Sequence, residues 1–204
     1  MSRYRRILVG FITLCFLPLA FGTSVNAALL DRGNGLIYDD DRDITWLQNA
    51  NLAGQTFTWQ EAVDWADALV FGGLDDWRLP TTLQPDSSCS EQNLNGFGVS
   101  GGIGCTGSEM GHLRNSEGIN PAAPGLFINI QTTQPYWSET EFNANGAWRF
   151  GFPQGLQNLE AKNIKHAAWA VRDGDVAPVP APSAVLLMGT GLFGFVSWRW
   201  WARG

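Results

Sequence analysis

The chain runs to 204 residues, 45% of them apolar, and its 19 acidic residues outnumber 13 basic ones for a net charge of −6. All the acids lie between Asp31 and Asp175, where only eight basic residues face them, a net of −11. So acidic a surface excludes nucleic acid as a partner, and the roughly 150 residues between two apolar ends are one domain's worth of chain, enough to bury a core.

Ser2-Arg3-Tyr4-Arg5-Arg6 is basic, residues 7–22 are apolar, and Val25-Asn26-Ala27 places small side chains before a cut after Ala27. That order predicts a signal peptide over 1–27 with a helical apolar stretch, and hence export. Cys15 leaves with it. A folded domain is expected over 28–177. Leu36-Ile37-Tyr38 and Ile44-Thr45-Trp46-Leu47 read as short strands, with Asp39-Asp40-Asp41-Arg42-Asp43 as the hairpin turn between them. Thr58 and Glu61 form a capping box at the start of a helix carrying Trp59, Val63, Ala66 and Val70 on one side, stopped by Gly72-Gly73.

Asp75-Asp76-Trp77-Arg78-Leu79-Pro80-Thr81 follows, and then residues 83–124 turn rich in Gly, Ser, Asn and Pro. A loop region this long in a compact domain is functional or stapled. Cys89 and Cys105 lie within it, with fifteen residues between them. An even pair in an exported chain predicts a disulfide, which the chain-entropy argument values at about 3 kcal/mol. A short helix over 108–113 is capped by Ser108. Leu126-Phe127-Ile128, Tyr136-Trp137-Ser138, residues 147–152 and residues 167–172 are further strand candidates, and Trp148, Phe150 and Phe152 alternate to make one face aromatic. Few helices and several short strands predict an α+β fold. At the end, Val179-Pro180-Ala181-Pro182 leads into the apolar stretch 183–198, closed by Arg199 and Arg203. Sixteen residues reach roughly 24 Å as a helix, a short transmembrane segment with its basic end inside.

The ordered pieces Gly35-Leu36-Ile37-Tyr38, Ile44-Thr45-Trp46-Leu47, Trp59-Gln60-Glu61-Ala62, Asp76-Trp77-Arg78-Leu79-Pro80-Thr81, Tyr136-Trp137-Ser138, Ala147-Trp148 and Ala168-Trp169-Ala170-Val171-Arg172 span nearly the whole middle. Together they resemble the Lcl C-terminal domain family, whose function was not known when it was catalogued. The resemblance implies a C-type-lectin-like or formylglycine-generating-enzyme-like domain: two helices, a small mixed sheet and long loops that carry any site. It also implies that the first and last strands are neighbours. Trp77, Arg78, Leu79, Pro80, Tyr136, Trp137, Ser138, Trp169 and Arg172 are then structural residues, with Arg78 paired to an acid such as Asp76 or Glu139. The tail over 178–204 resembles a PEP-CTERM sorting signal, with Val179-Pro180-Ala181-Pro182 where Val-Pro-Glu-Pro is usual. That implies a Gram-negative bacterium, an exosortase-type membrane protease as partner, a cell-envelope or extracellular location with at least transient anchoring by the tail helix, and often a biofilm or exopolysaccharide setting.

No catalytic residues stand out. Asp39, Asp40, Asp41 and Asp43 offer carboxylates for Ca²⁺ as a cofactor, but a solvated turn explains Asp there as well and is preferred. Gln84-Pro85-Asp86 matches the triplet that galactose-type C-type lectins use with Ca²⁺, yet it follows the Trp77 block directly and no Trp-Asn-Asp triplet comes after it. His112 and His166 have no nucleophile beside them in sequence and read as incidental. The expectation is a non-enzymatic module contacting polysaccharide or matrix through residues 81–124 and 143–146. The alternatives are an enzyme of the formylglycine-generating type and a structural surface protein without ligand.

Overall fold

In the computed structural model, residues 29–176 are described. Asn34 and Gly35 both take positive φ (54° and 81°), which turns Leu29–Gly33 (β1) back onto Leu36–Asp39 (β2). The acidic turn then returns the chain into Ile44–Leu47 (β3), in register from Leu36↔Leu47 to Asp39↔Ile44. Trp59–Asp67 (α1) and Glu109–Asn115 (α2) are the two α-helices among the described residues. Tyr136–Asn143 (β4), Gly146–Gly151 (β5) and Leu156–Ala161 (β6) form a second antiparallel sheet. Val171–Asp173 (β7) closes the first sheet, whose order is β1-β2-β3-β7.

The expected neighbours at the two ends do meet: Thr45 pairs with Arg172 and Trp46 with Val171. On its other side Val171 exchanges backbone hydrogen bonds with Arg78 (2.8 and 2.9 Å). Just before β7, Trp137 N–H donates to Ala167 O at 3.0 Å, so the same segment also joins the second sheet. Trp169 occupies this crossing. Its ring lies 4.9–5.5 Å from those of Trp46, Phe127, Tyr136 and Phe152, and its N–H donates to Leu47 O at 2.7 Å. A second cluster packs α1, through Trp59, Ala62 and Ala66, on Leu79, Trp137, Ala147 and Ala168.

Several sequence expectations change. There are two antiparallel sheets rather than one small mixed sheet. The helix α1 stops at Asp67, and Val70 is 69% exposed rather than part of the apolar stripe. Asp64 and Asp67 sit in the last turn without a basic residue, which opposes the helix dipole. Gly72 and Gly73, both at positive φ, instead form the Phe71–Leu74 turn. Residues 126–128 make a single parallel bridge, Asn49↔Ile128, rather than a strand. Of residues 167–172, only Val171 and Arg172 belong to a strand. The strands β1 and β6 were not anticipated. The signal peptide, Cys15, the Val179-Pro180-Ala181-Pro182 motif and the tail helix lie outside the described residues. Among those described, no helix is long and apolar enough to cross a membrane.

Candidate functional site

The long loop region is built, not loose. The Cys89–Cys105 disulfide closes it. Asp86 is buried, accepting from Gly107 N–H at 2.9 Å and Ser88 N–H at 3.0 Å. The Gln84 amide is used at both ends by the Ser100 backbone (2.6 and 2.8 Å). Both polar side chains of that triplet, Gln84 and Asp86, thus brace the loop from within. The strand β6 supplies the anchor: Gln157 accepts from Ser108 Oγ at 2.6 Å and donates to Ser100 O at 3.3 Å. Ser108 holds the N-cap position of α2, but its hydroxyl serves Gln157 and Leu83 rather than the helix.

The hairpin turn after β2 is clamped to this region. Arg42 donates to Gly107 O at 3.1 Å and to Thr106 O. Asp39 is only 2% exposed, so the preferred solvated-turn reading fails for it. The helix α2 lies close: a Cβ at Gly111 would meet Cys105 O at 2.5 Å, and Asn115 donates to that same oxygen at 2.6 Å. This approach sets His112 over the hairpin. Its Nε2 lies 3.6 Å from Asp41 Oδ2, 3.6 Å from Glu117 Oε1 and 3.9 Å from Asp39 Oδ1. All three distances exceed a hydrogen bond. His112 Nε2 and Asp39 Oδ2 are buried without a hydrogen-bond partner, and the Trp46 N–H lies beside the Asp39 carboxyl without ordinary hydrogen-bond geometry. Burial raises the Asp39 carboxyl above the usual carboxylate range, opposed by His112 and the Arg42 N–H. Burial also raises Glu117, opposed by His112 and reinforced by Asp39, Asp41 and Asp40.

The profile of the Lcl C-terminal domain matches residues 35–172. The chain belongs to the Lcl C-terminal domain family. A second match, to the PEP-CTERM protein-sorting motif, covers residues 178–203 and so includes Val179, Pro180, Ala181 and Pro182. The protein is therefore exported, associated with the cell envelope and sorted by an exosortase-type system. No curated protein matches the chain.

In this Lcl C-terminal domain the residues that carried the resemblance sit in the framework. Trp77 and Leu79 are buried in the two clusters. Pro80 O accepts from Glu139 N–H at 2.9 Å. Tyr136, Trp137 and Ser138 open β4 with no exposure, and the Ser138 hydroxyl accepts from Thr82 at 2.9 Å. Arg78 does not pair with Asp76 or Glu139. Its guanidinium takes both oxygens of Glu109 (2.9 and 2.8 Å) and Asp173 Oδ1 at 2.5 Å. Asp76 instead pairs with Arg172 through two contacts of 2.8 Å.

One surface feature of the domain was missed in the sequence. Phe97 follows the 3₁₀ turn Leu94–Gly96, stands 58% exposed, and lies 5.2 Å from Phe142 near the tip of the β4–β5 hairpin. The adjacent turn carries Asn143 and Asn145. Only contact between two segments far apart in the chain turns single phenylalanines into a pair.

Proposed function

We propose that this exported domain is a non-enzymatic module that binds neutral polysaccharide at the cell surface, its tail held at least transiently in the membrane during exosortase handling. The observation that carries the reading is the pairing of exposed Phe97 with half-buried Phe142 at the surface. An aromatic ring that stays largely in water at a loop tip marks a contact surface, and the C–H faces of sugar rings match it. The amides of Asn143 and Asn145 beside the pair supply hydrogen bonding without charge. The acidic surface disfavours a polyanionic polymer. The Cys89–Cys105 disulfide braces the loop region that presents Phe97. Affinity electrophoresis of the secreted full chain through gels loaded with neutral exopolysaccharide tests it. Wild type is expected to be retarded, and Phe97→Ala to lose most of that retardation. Equal migration of the two proteins overturns the proposal.

A further inference from the structure

We propose that Asp41, His112 and Glu117 form a site for one divalent cation of the zinc class, with the Asp39 carboxyl beside it, tying α2 to the β2–β3 hairpin. A tetrahedral ion with bonds of about 2.0–2.2 Å holds its ligands roughly 3.3–3.6 Å apart. His112 Nε2 stands 3.6 Å from one oxygen of Asp41 and 3.6 Å from one of Glu117, and the three ligand atoms lie within 4.8 Å of one another. Asp39 Oδ1 lies 3.9 Å from the same nitrogen but outside that group of three, and contributes charge beside the site rather than a bond. The nitrogen stands too far from the Asp41 and Glu117 oxygens to hydrogen-bond them, and near the spacing of ligands that share an ion.

The second observation is the imidazole itself. His112 is 6% exposed, its Nε2 aims into the carboxylates, and that nitrogen has no hydrogen-bond partner. A buried polar atom left this way needs an explanation. Three carboxylates converging on one imidazole, two of them largely buried, concentrate negative charge that a dication neutralises. The nitrogen ligand selects the metal class: imidazole suits zinc and its first-row neighbours, whereas Ca²⁺ collects six to eight oxygens. Asp41 is half exposed and gives the ion an approach from water. The site is separate from the Phe97–Phe142 surface, so the failure of either reading leaves the other standing.

The test uses the untagged full chain stripped with EDTA and dialysed, then titrated calorimetrically with Zn²⁺ and separately with Ca²⁺. One equivalent of Zn²⁺ is expected to bind at least 100-fold more tightly than Ca²⁺. Saturation is expected to raise the melting temperature by about 5–10 °C. His112→Gln should weaken Zn²⁺ binding at least 100-fold, and Asp41→Asn, at a half-exposed position that leaves the fold intact, about 10-fold or more. Co²⁺ should show the visible absorption of a tetrahedral site, lost in both variants. Failure of the wild type to bind Zn²⁺, tighter binding of Ca²⁺, or unchanged Zn²⁺ affinity in the Asp41→Asn protein each overturns the proposal.

Discussion

His166 should make stability depend on pH over a definite window. The side chain is 8% exposed, lies 4.7 Å from the Trp137 ring, and has no hydrogen-bond partner on either nitrogen. Burial first, and then the charge of Arg149, lower its pKa from 6.5 to about 4 despite the opposing pull of Glu160. The unfolded chain therefore takes up a proton near pH 6.5 that the folded chain refuses until about pH 4. Between those values the unfolded state holds more protons, so stability falls as the pH falls. One proton gives a slope of about 1.4 kcal/mol per pH unit at most, and a loss of about 3 kcal/mol by pH 4. His166→Phe keeps a ring against Trp137 and removes the titration. Urea denaturation of both proteins from pH 7.5 to 4 reads the difference directly. Glu61, held down by the Thr58 N–H, and Asp76, held down by Arg172, add a loss at lower pH, but they do so in both proteins and cancel. The gap between the curves should widen by about 3 kcal/mol in favour of the variant. Parallel curves would refute the reasoning, whatever the absolute stability of the phenylalanine protein.

Arg78→Lys keeps the charge but replaces a planar fork by a single nitrogen facing Glu109 and Asp173. It should cost about 1–3 kcal/mol in urea denaturation, because the largely buried Glu109 carboxylate loses a partner. Cys105→Ser should lower stability by about 3 kcal/mol; reductant should do the same to the wild type and nothing to the variant. The mass of the exported protein should change when the exosortase is deleted from the host. A chain lacking residues 178–203, the matched sorting motif, should show no such change by intact mass spectrometry.

What was legible in the sequence was local. The β2–β3 hairpin, the capping arm from Thr58 N–H to Glu61 Oε2 at 2.9 Å, and the cysteine pair each depend on residues close together in the chain. The strand β6 was not legible, because Leu156-Gln157-Asn158-Leu159-Glu160-Ala161 neither alternates cleanly nor carries β-branched residues. Arg78 was given the wrong partners for the same kind of reason: Glu109 lies 31 residues away and Asp173 lies 95 away. His112 read as incidental because two of its three carboxylates come from the hairpin, and only the close approach of α2 at Gly111 brings them together. Glu117 and Phe142 carried no local signal at all.

The core of this exported domain is joined by a residue close to its C-terminal end, Trp169. Trp46, Phe127, Tyr136 and Phe152 have as their shared neighbour a ring encoded almost at the end of the domain. Without that ring, Trp46 touches Phe127 and Tyr136 touches Phe152, but the two pairs have no common partner. The sorting motif begins at residue 178, five positions beyond Asp173, at most about 18 Å of extended backbone. The ring that joins the core and the start of the sorting motif thus stand nine positions apart in the chain.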